Sequence, residues 1–244
     1  SFNNYKLALD TTGPLSERTL YRLDISRQQS TGYINRGKSE STAVSASVAF
    51  LVSNKLKATL MNDWAYIKPM NYNGLPMVNG VALKSLRKEN YGTSDVNVYF
   101  NENSTRLELD WTPKPGISVR NTTSMLWGDR LWKQGPTQLN YRSATNDVIR
   151  AGFGKFEQDQ VQGNNQIEVT WRRSVLGRDN TFVVGGDGER LNFKRYVTQW
   201  PGITSAVSLF VSDPGSYPTT GAVTTQAQKN LVNRYSIFAE DRLE

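Results

Sequence analysis

The sequence predicts an all-β chain: an antiparallel up-and-down transmembrane β-barrel, represented here by about nine strands of a larger one. Three observations carry this. Apolar and polar residues alternate one by one over many short stretches, the period of a strand with one greasy and one wet face. The connections alternate between short turns and long polar loops, as they do when turns line one membrane surface and loops the other. No run of about 18 apolar residues exists, which excludes a spanning helix but not spanning strands of about ten residues each.

The stretch from Ser104 to Trp127 shows the pattern best. Thr105, Leu107, Leu109 and Trp111 fall on one parity, and Arg106, Glu108 and Asp110 on the other. Residues 112–116, Thr-Pro-Lys-Pro-Gly, read as a tight turn. Ile117, Val119, Met125 and Trp127 then resume the apolar parity, with Asn121 and Thr123 as polar exceptions on it.

Elsewhere the same reading gives strands around Tyr5–Leu9, Tyr21–Ile25, Val44–Val52 and Leu60–Tyr66 before this hairpin. After it come a long strand region over residues 148–175, a strand opening at Phe182 that Gly185-Gly186 should bend, and a last one from Tyr235. Short turns fall near 12–17, 53–55, 112–116 and 177–180; long loops fall near 28–40, 68–103, 128–147 and 197–230. No repeat of fixed period appears, which argues against a propeller or solenoid.

Composition narrows the chemistry. The 244 residues include no cysteine and no histidine, so disulfides and thiol or imidazole chemistry are absent from them. The net charge is +7, yet the Lys and Arg are scattered singly, so a nucleic-acid partner is not expected. Gly186-Asp187-Gly188 has no following lysine or helical pattern and is not a phosphate loop. Residue 1 is Ser, and the chain is expected to be an excised piece of a longer one.

Four segments carry a family resemblance: SFNNYKLALDTTGPLSERTLYRLD at the start, TRLELDWTPKPGISVRNTTSML in the middle, then NTFVVGGD, and RYSIFAEDRLE near the end. In their order and spacing they resemble the barrel of a TonB-dependent outer-membrane receptor of the ferric-siderophore type. The resemblance implies that residues 1–244 are a partial barrel domain, roughly the second to tenth of about 22 strands, with the plug absent. It implies a Gram-negative outer membrane as the location and lipid as one partner. It also implies uptake of a ferric siderophore, driven by the TonB–ExbB–ExbD complex acting through the missing plug region. No covalent chemistry is expected of such a receptor, and neither a cofactor nor a protein metal ligand, because the siderophore carries the iron.

Candidate residues follow from position. Trp64, Trp111, Trp127 and Trp171 lie near strand ends, as a membrane-interface girdle would. Trp132, Tyr141, Tyr196 and Trp200 lie in or beside long loops, where aromatic faces suit a planar chelate. Arg106, Glu108, Asp110 and Arg120 are wet-face residues; they read as plug contacts or as cross-strand ion pairs. The rival readings are a TonB-dependent receptor for another cargo, such as a cobalamin or a sugar, and a soluble β-sandwich binding module.

Overall fold

The computed structural model describes residues 3–243. Ser1, Phe2 and Glu244, which end the first and last of the quoted segments, lie outside the described residues. Twelve strands follow in chain order: β1 (Asn4–Ser16), β2 (Thr19–Ser30), β3 (Ser39–Ser53), β4 (Leu56–Lys68), β5 (Asn97–Lys114) and β6 (Ile117–Lys133). Then come β7 (Gln138–Arg142), β8 (Asp147–Ala151), β9 (Gly154–Val175), β10 (Arg178–Gln199), β11 (Ser205–Ser208) and β12 (Val223–Leu243). Nine of them form one antiparallel sheet, β1-β2-β3-β4-β5-β6-β9-β10-β12, which is not closed; β11-β8-β7 form a separate small sheet.

Directly paired residues point to the same face, so register sorts the side chains. Leu9, Ile25, Val44 and Trp64 share one row of direct partners. Trp111, Val119, Val169, Val184 and Ala239 share another on the same face. The opposite face carries ion pairs: Arg22 with Asp10 (3.2 Å) and Asp24 (2.8 Å), Arg120 with Asp110 (2.7 Å), and Arg234 with Glu189 (3.0 Å). Strands contact only their hydrogen-bonded neighbours. A sandwich needs a second sheet about 10 Å away; among the described residues the apolar face has none, and Leu7, Tyr235 and Ile237 on it are 73%, 80% and 93% exposed.

The hydrogen-bond rows also fix the slant of the strands. A row drawn through one short turn passes progressively further from the tip of the next, by about eight residues over six strand spacings. At ~3.3 Å per residue and ~4.8 Å between strands this is a tilt of about 40°, the value that closed barrels adopt.

Strand boundaries differ from the sequence reading at the loop end. β5, β6 and β10 run further than hydrophobic alternation alone indicates, to Asn97, Lys133 and Gln199, because their upper parts carry polar residues on both faces. Residues 148–175 are not one strand. They divide into β8 and β9 at Gly152, which has φ +70°. β10 does not break at Gly185-Gly186. A Cβ at Gly185 would stand 2.5 Å from the Phe238 ring of β12, so the glycine makes room for a cross-strand aromatic.

All four long connections leave from one end of the sheet, and they fold together. Leu86, Tyr91, Val148, Val207 and Leu209 form a buried core there, with Leu75, Leu139 and Tyr141 packed against it. The fully buried Arg150 donates to Tyr91 O (3.2 Å), Pro214 O (2.8 Å) and Ser205 Oγ (2.9 Å). Arg36 donates to the carbonyls of Asn90 and Gly92. Residues from all four connections are thereby tied into one block.

Candidate functional site

A cleft of about 460 Å³ opens on the wet face at its loop end. Phe100, Arg130, Gln158 and Arg195 are direct partners in one row across β5, β6, β9 and β10. Trp132 and Phe156 are partners in the next row. Register alone therefore assembles three aromatic rings and two guanidinium groups on one side of the sheet.

The two arginines differ. Arg130 donates from Nε to Glu102 Oε1 at 2.9 Å and is neutralised. Arg195 has no ion pair among the described residues. Its Cζ lies 4.8 Å from the centre of the Phe156 ring, and its Nε is buried without a hydrogen-bond partner. A buried donor left unpaired costs about 1–3 kcal/mol, so the cleft holds an unmet demand for an acceptor. Phe100 and Trp132 stand edge to face with centroids 5.4 Å apart. Trp132 Nε1 donates to Gln134 Oε1. The arrangement offers one uncompensated positive charge, a free N–H donor and aromatic surface, which suits a flat anion.

Of the loop aromatics expected from sequence, the structure brings only Trp132 to this cleft. Tyr141 packs on the loop core and donates to Asn146 Oδ1 at 3.0 Å. Trp200 is buried in a second cluster with Phe153 and Tyr217, its ring centroid 5.0 Å from that of Tyr217. Tyr196 follows Arg195 in β10 and so points to the other face. The wet-face charges pair within the wall: Arg106 with Glu108 at 3.6 Å and Arg120 with Asp110 at 2.7 Å. Trp111, Trp127 and Trp171 lie on the apolar face, 47%, 42% and 44% exposed. Trp64 shares that face and donates from Nε1 to Asn101 Oδ1 at 2.9 Å.

The sequence reading missed Phe100, Arg130, Phe156 and Arg195. A signal for the aromatics existed: both fall on the wet parity, where the rest of their strands is mostly polar. For Phe100 it went unread because residues 68–103 read as loop; Phe156 lay in the stretch 148–175 that read as strand, but alternation was followed there only over residues 166–175.

In the loop block, burial pushes the Tyr91 phenol up to about 12, and its hydroxyl donates to Leu209 O at 2.7 Å. Burial likewise lowers the Arg150 guanidinium from its ordinary value, and the nearby Arg36 lowers it further. Among the described residues no three acidic side chains gather as a metal site.

Comparison of the backbone with solved structures is decisive for the fold. A complex of FpvAI with pyocin S2 matches with TM-score 0.81 at 14% identity, over 98% of this chain and 34% of that one. The pyoverdine outer membrane receptor FpvA from Pseudomonas aeruginosa PAO1 bound to pyoverdine matches at 0.77 and 14%, over 98% and 36%. The ferric-catecholate import receptor Fiu from E. coli K12 matches at 0.71 and 17%, over 98% and 40%.

The chain has the fold of part of an outer-membrane siderophore receptor.

It spans about a third of the length of these relatives. No family model and no curated protein matches it in sequence. At 14–17% identity the likeness is one of backbone.

Proposed function

We propose that the chain is part of the barrel wall of a TonB-dependent outer-membrane receptor that imports ferric siderophores. Residues 1–244 would then be a partial barrel domain, and its wet-face cleft would take the anionic chelate. The observation that carries the cargo is Arg195, a guanidinium with a buried, unpaired Nε beside the Phe156 ring.

The membrane setting rests on the other face. Trp111 and Trp171 stand about four to six residues from their turn tips, and Trp64 and Trp127 about ten to twelve. On strands tilted ~40° these make two aromatic levels roughly 15–20 Å apart, as the two edges of an apolar band require. Polar side chains within the band satisfy one another. Asn62 Nδ2 donates to Thr105 Oγ1 (2.8 Å) and Asn103 Oδ1 (3.1 Å), and Asn165 Nδ2 donates to Thr123 Oγ1 (2.7 Å). Unpaired, such groups would cost several kcal/mol each in hydrocarbon. In this reading a plug fills the bore, and the TonB–ExbB–ExbD complex of the inner membrane pulls on it to open a path. The iron travels inside its chelator, and the wall supplies binding and no bond-making step.

The test is uptake of radioiron by iron-starved cells producing the full-length receptor. Ferric catecholate and hydroxamate chelates, cobalamin and oligosaccharides would serve as competitors. The expected result is competition by ferric chelates only, with Arg195→Gln weakening apparent affinity about 10–100-fold, the worth of a charge-assisted hydrogen bond. Competition by cobalamin or sugar alone would move the cargo to another class. Unchanged uptake of ferric chelates by Arg195→Gln would remove the cleft from the binding path.

A further inference from the structure

The cleft continues toward the turns as an uncharged strip of wall. Gln158 stands between Arg130 and Arg195 in the row that builds the cleft. Below it the wet-face positions of β9 are Gln160, Gln162, Asn164 and Gln166. Five successive side chains on this face are thus carboxamides. They run about 26 Å along the strand, a descent of about 20 Å at its slant. Only at Glu168, opposite Arg120, does the charged wall resume.

The neighbours of the strip keep free charge away from it. On β6 the direct partners of its lower four residues are Gly128, Leu126, Ser124 and Thr122. On β10 they are Phe193 and Leu191, then Glu189 and Asp187. Both of those carboxylates are engaged: Glu189 with Arg234 at 3.0 Å, and Asp187 with the Ser236 hydroxyl. β5 is the contrast, since its wet face carries Glu102, Arg106, Glu108 and Asp110.

A fixed charge holds or repels an anion, whereas a carboxamide donates and accepts without net charge. Gln160 Nε2 donates to Gln162 Oε1 at 3.2 Å. The carboxamides of Gln158, Asn164 and Gln166 make no hydrogen bond among the described residues. Neutral hydrogen bonds of this kind are roughly half as strong as the charge-assisted ones that Arg195 offers. Passage needs a row of such sites, favourable enough to enter and weak enough to leave.

We propose that this carboxamide strip of β9 is the wall along which the anionic chelate descends once it leaves the cleft. Capture and passage are divided: Arg195 holds the cargo, and the side chains from Gln160 to Gln166 hand it on. The proposal rests on the ferric-chelate reading of the cleft and adds the route.

The test uses the full-length receptor in iron-starved cells, with radioiron supplied as an anionic tris-catecholate chelate. Binding is read on cells de-energised with a protonophore, and uptake on energised cells. Gln162→Glu/Gln166→Glu places two negative charges on the strip. It should leave the Kd within about twofold, because the cleft is a separate site, and slow uptake about tenfold or more through charge repulsion. Ser41→Glu/Ser45→Glu puts the same charges on the wet face of β3, at similar distances from its turn, and should leave uptake unchanged. Undiminished uptake by the β9 pair would overturn the route, as would equal slowing by the β3 pair. Loss of binding by the β9 pair would overturn the division between capture and passage. Entry of vancomycin into cells carrying the β9 pair would assign the carboxamides to seating the plug, and would overturn the route as well. A wild-type receptor that neither binds nor imports the chelate sinks the ferric-chelate reading itself. One that imports it, with no slowing in the β9 pair, sinks only the route.

Discussion

The wall and the loop block are built on opposite principles, though one chain makes both. Among the buried apolar residues, Leu86, Tyr91, Val148, Phe153, Trp200, Val207, Leu209 and Tyr217 all belong to the long connections and their small sheet; of the nine long strands, only β5 contributes one, Val98. The loops thus behave as a small water-soluble protein with a core and a buried arginine, Arg150. The wall turns its large side chains outward, so their burial must come from whatever surrounds the protein. Apolar area alone does not distinguish the two; where that area faces does.

The comparison can be broken from either side. Leu86 is wholly buried in the loop core, and Leu86→Ala should cost that block about 2–5 kcal/mol. Limited proteolysis should then cut within residues 69–96 while the wall stays folded. A close second is Leu107→Arg. At mid-band it should cost about 2–4 kcal/mol in refolding titrations into lipid vesicles. Leu176→Arg, at a turn tip where Leu176 is 97% exposed, should cost nothing measurable. Equal effects at the two sites would mean the apolar face does not meet hydrocarbon. Arg150→Met should cost the loop block about 1–3 kcal/mol, because it leaves the carbonyls of Tyr91 and Pro214 without their donor.

The smallest effect is one of pH. Arg142 donates to Asp147 across the β7–β8 hairpin (3.0 Å from Nε) and holds that carboxyl below the usual carboxylate range. Folded pKa lies below unfolded pKa, so the contribution is complete above the unfolded value and is lost as pH falls through the folded one. Hydrogen exchange in β7 and β8 should rise over that acid window, and Asp147→Asn should remove the dependence.

The wall was legible in the sequence because its physics is local. Each residue's face follows from its parity, and Leu107, Leu109 and Trp111 need no partner to be read. The nine long strands and the apolar face came from that rule. The turn expected near 12–17 did not survive: β1 continues through Gly13-Pro14 to Ser16, and the chain reverses at Glu17-Arg18. The loop block was illegible because its contacts are long-range: Arg150 meets residues 91, 205 and 214, and no periodicity marks that. The cleft fell between the two. Trp132 was visible as an aromatic beside a loop, but Arg195 and Phe156 became a pair only once β9 and β10 were in register.

The knot of Arg36 and Arg150 has a consequence for how this surface can diverge. Each guanidinium holds backbone carbonyls of other connections, so the segments near residues 36, 90–92, 150 and 214 cannot be lengthened or exchanged one at a time. An insertion near residue 91 would shift its neighbours near 36, 150 and 214. Substitution is accommodated more readily at exposed tips such as Met77 and Phe210, which lie outside this knot.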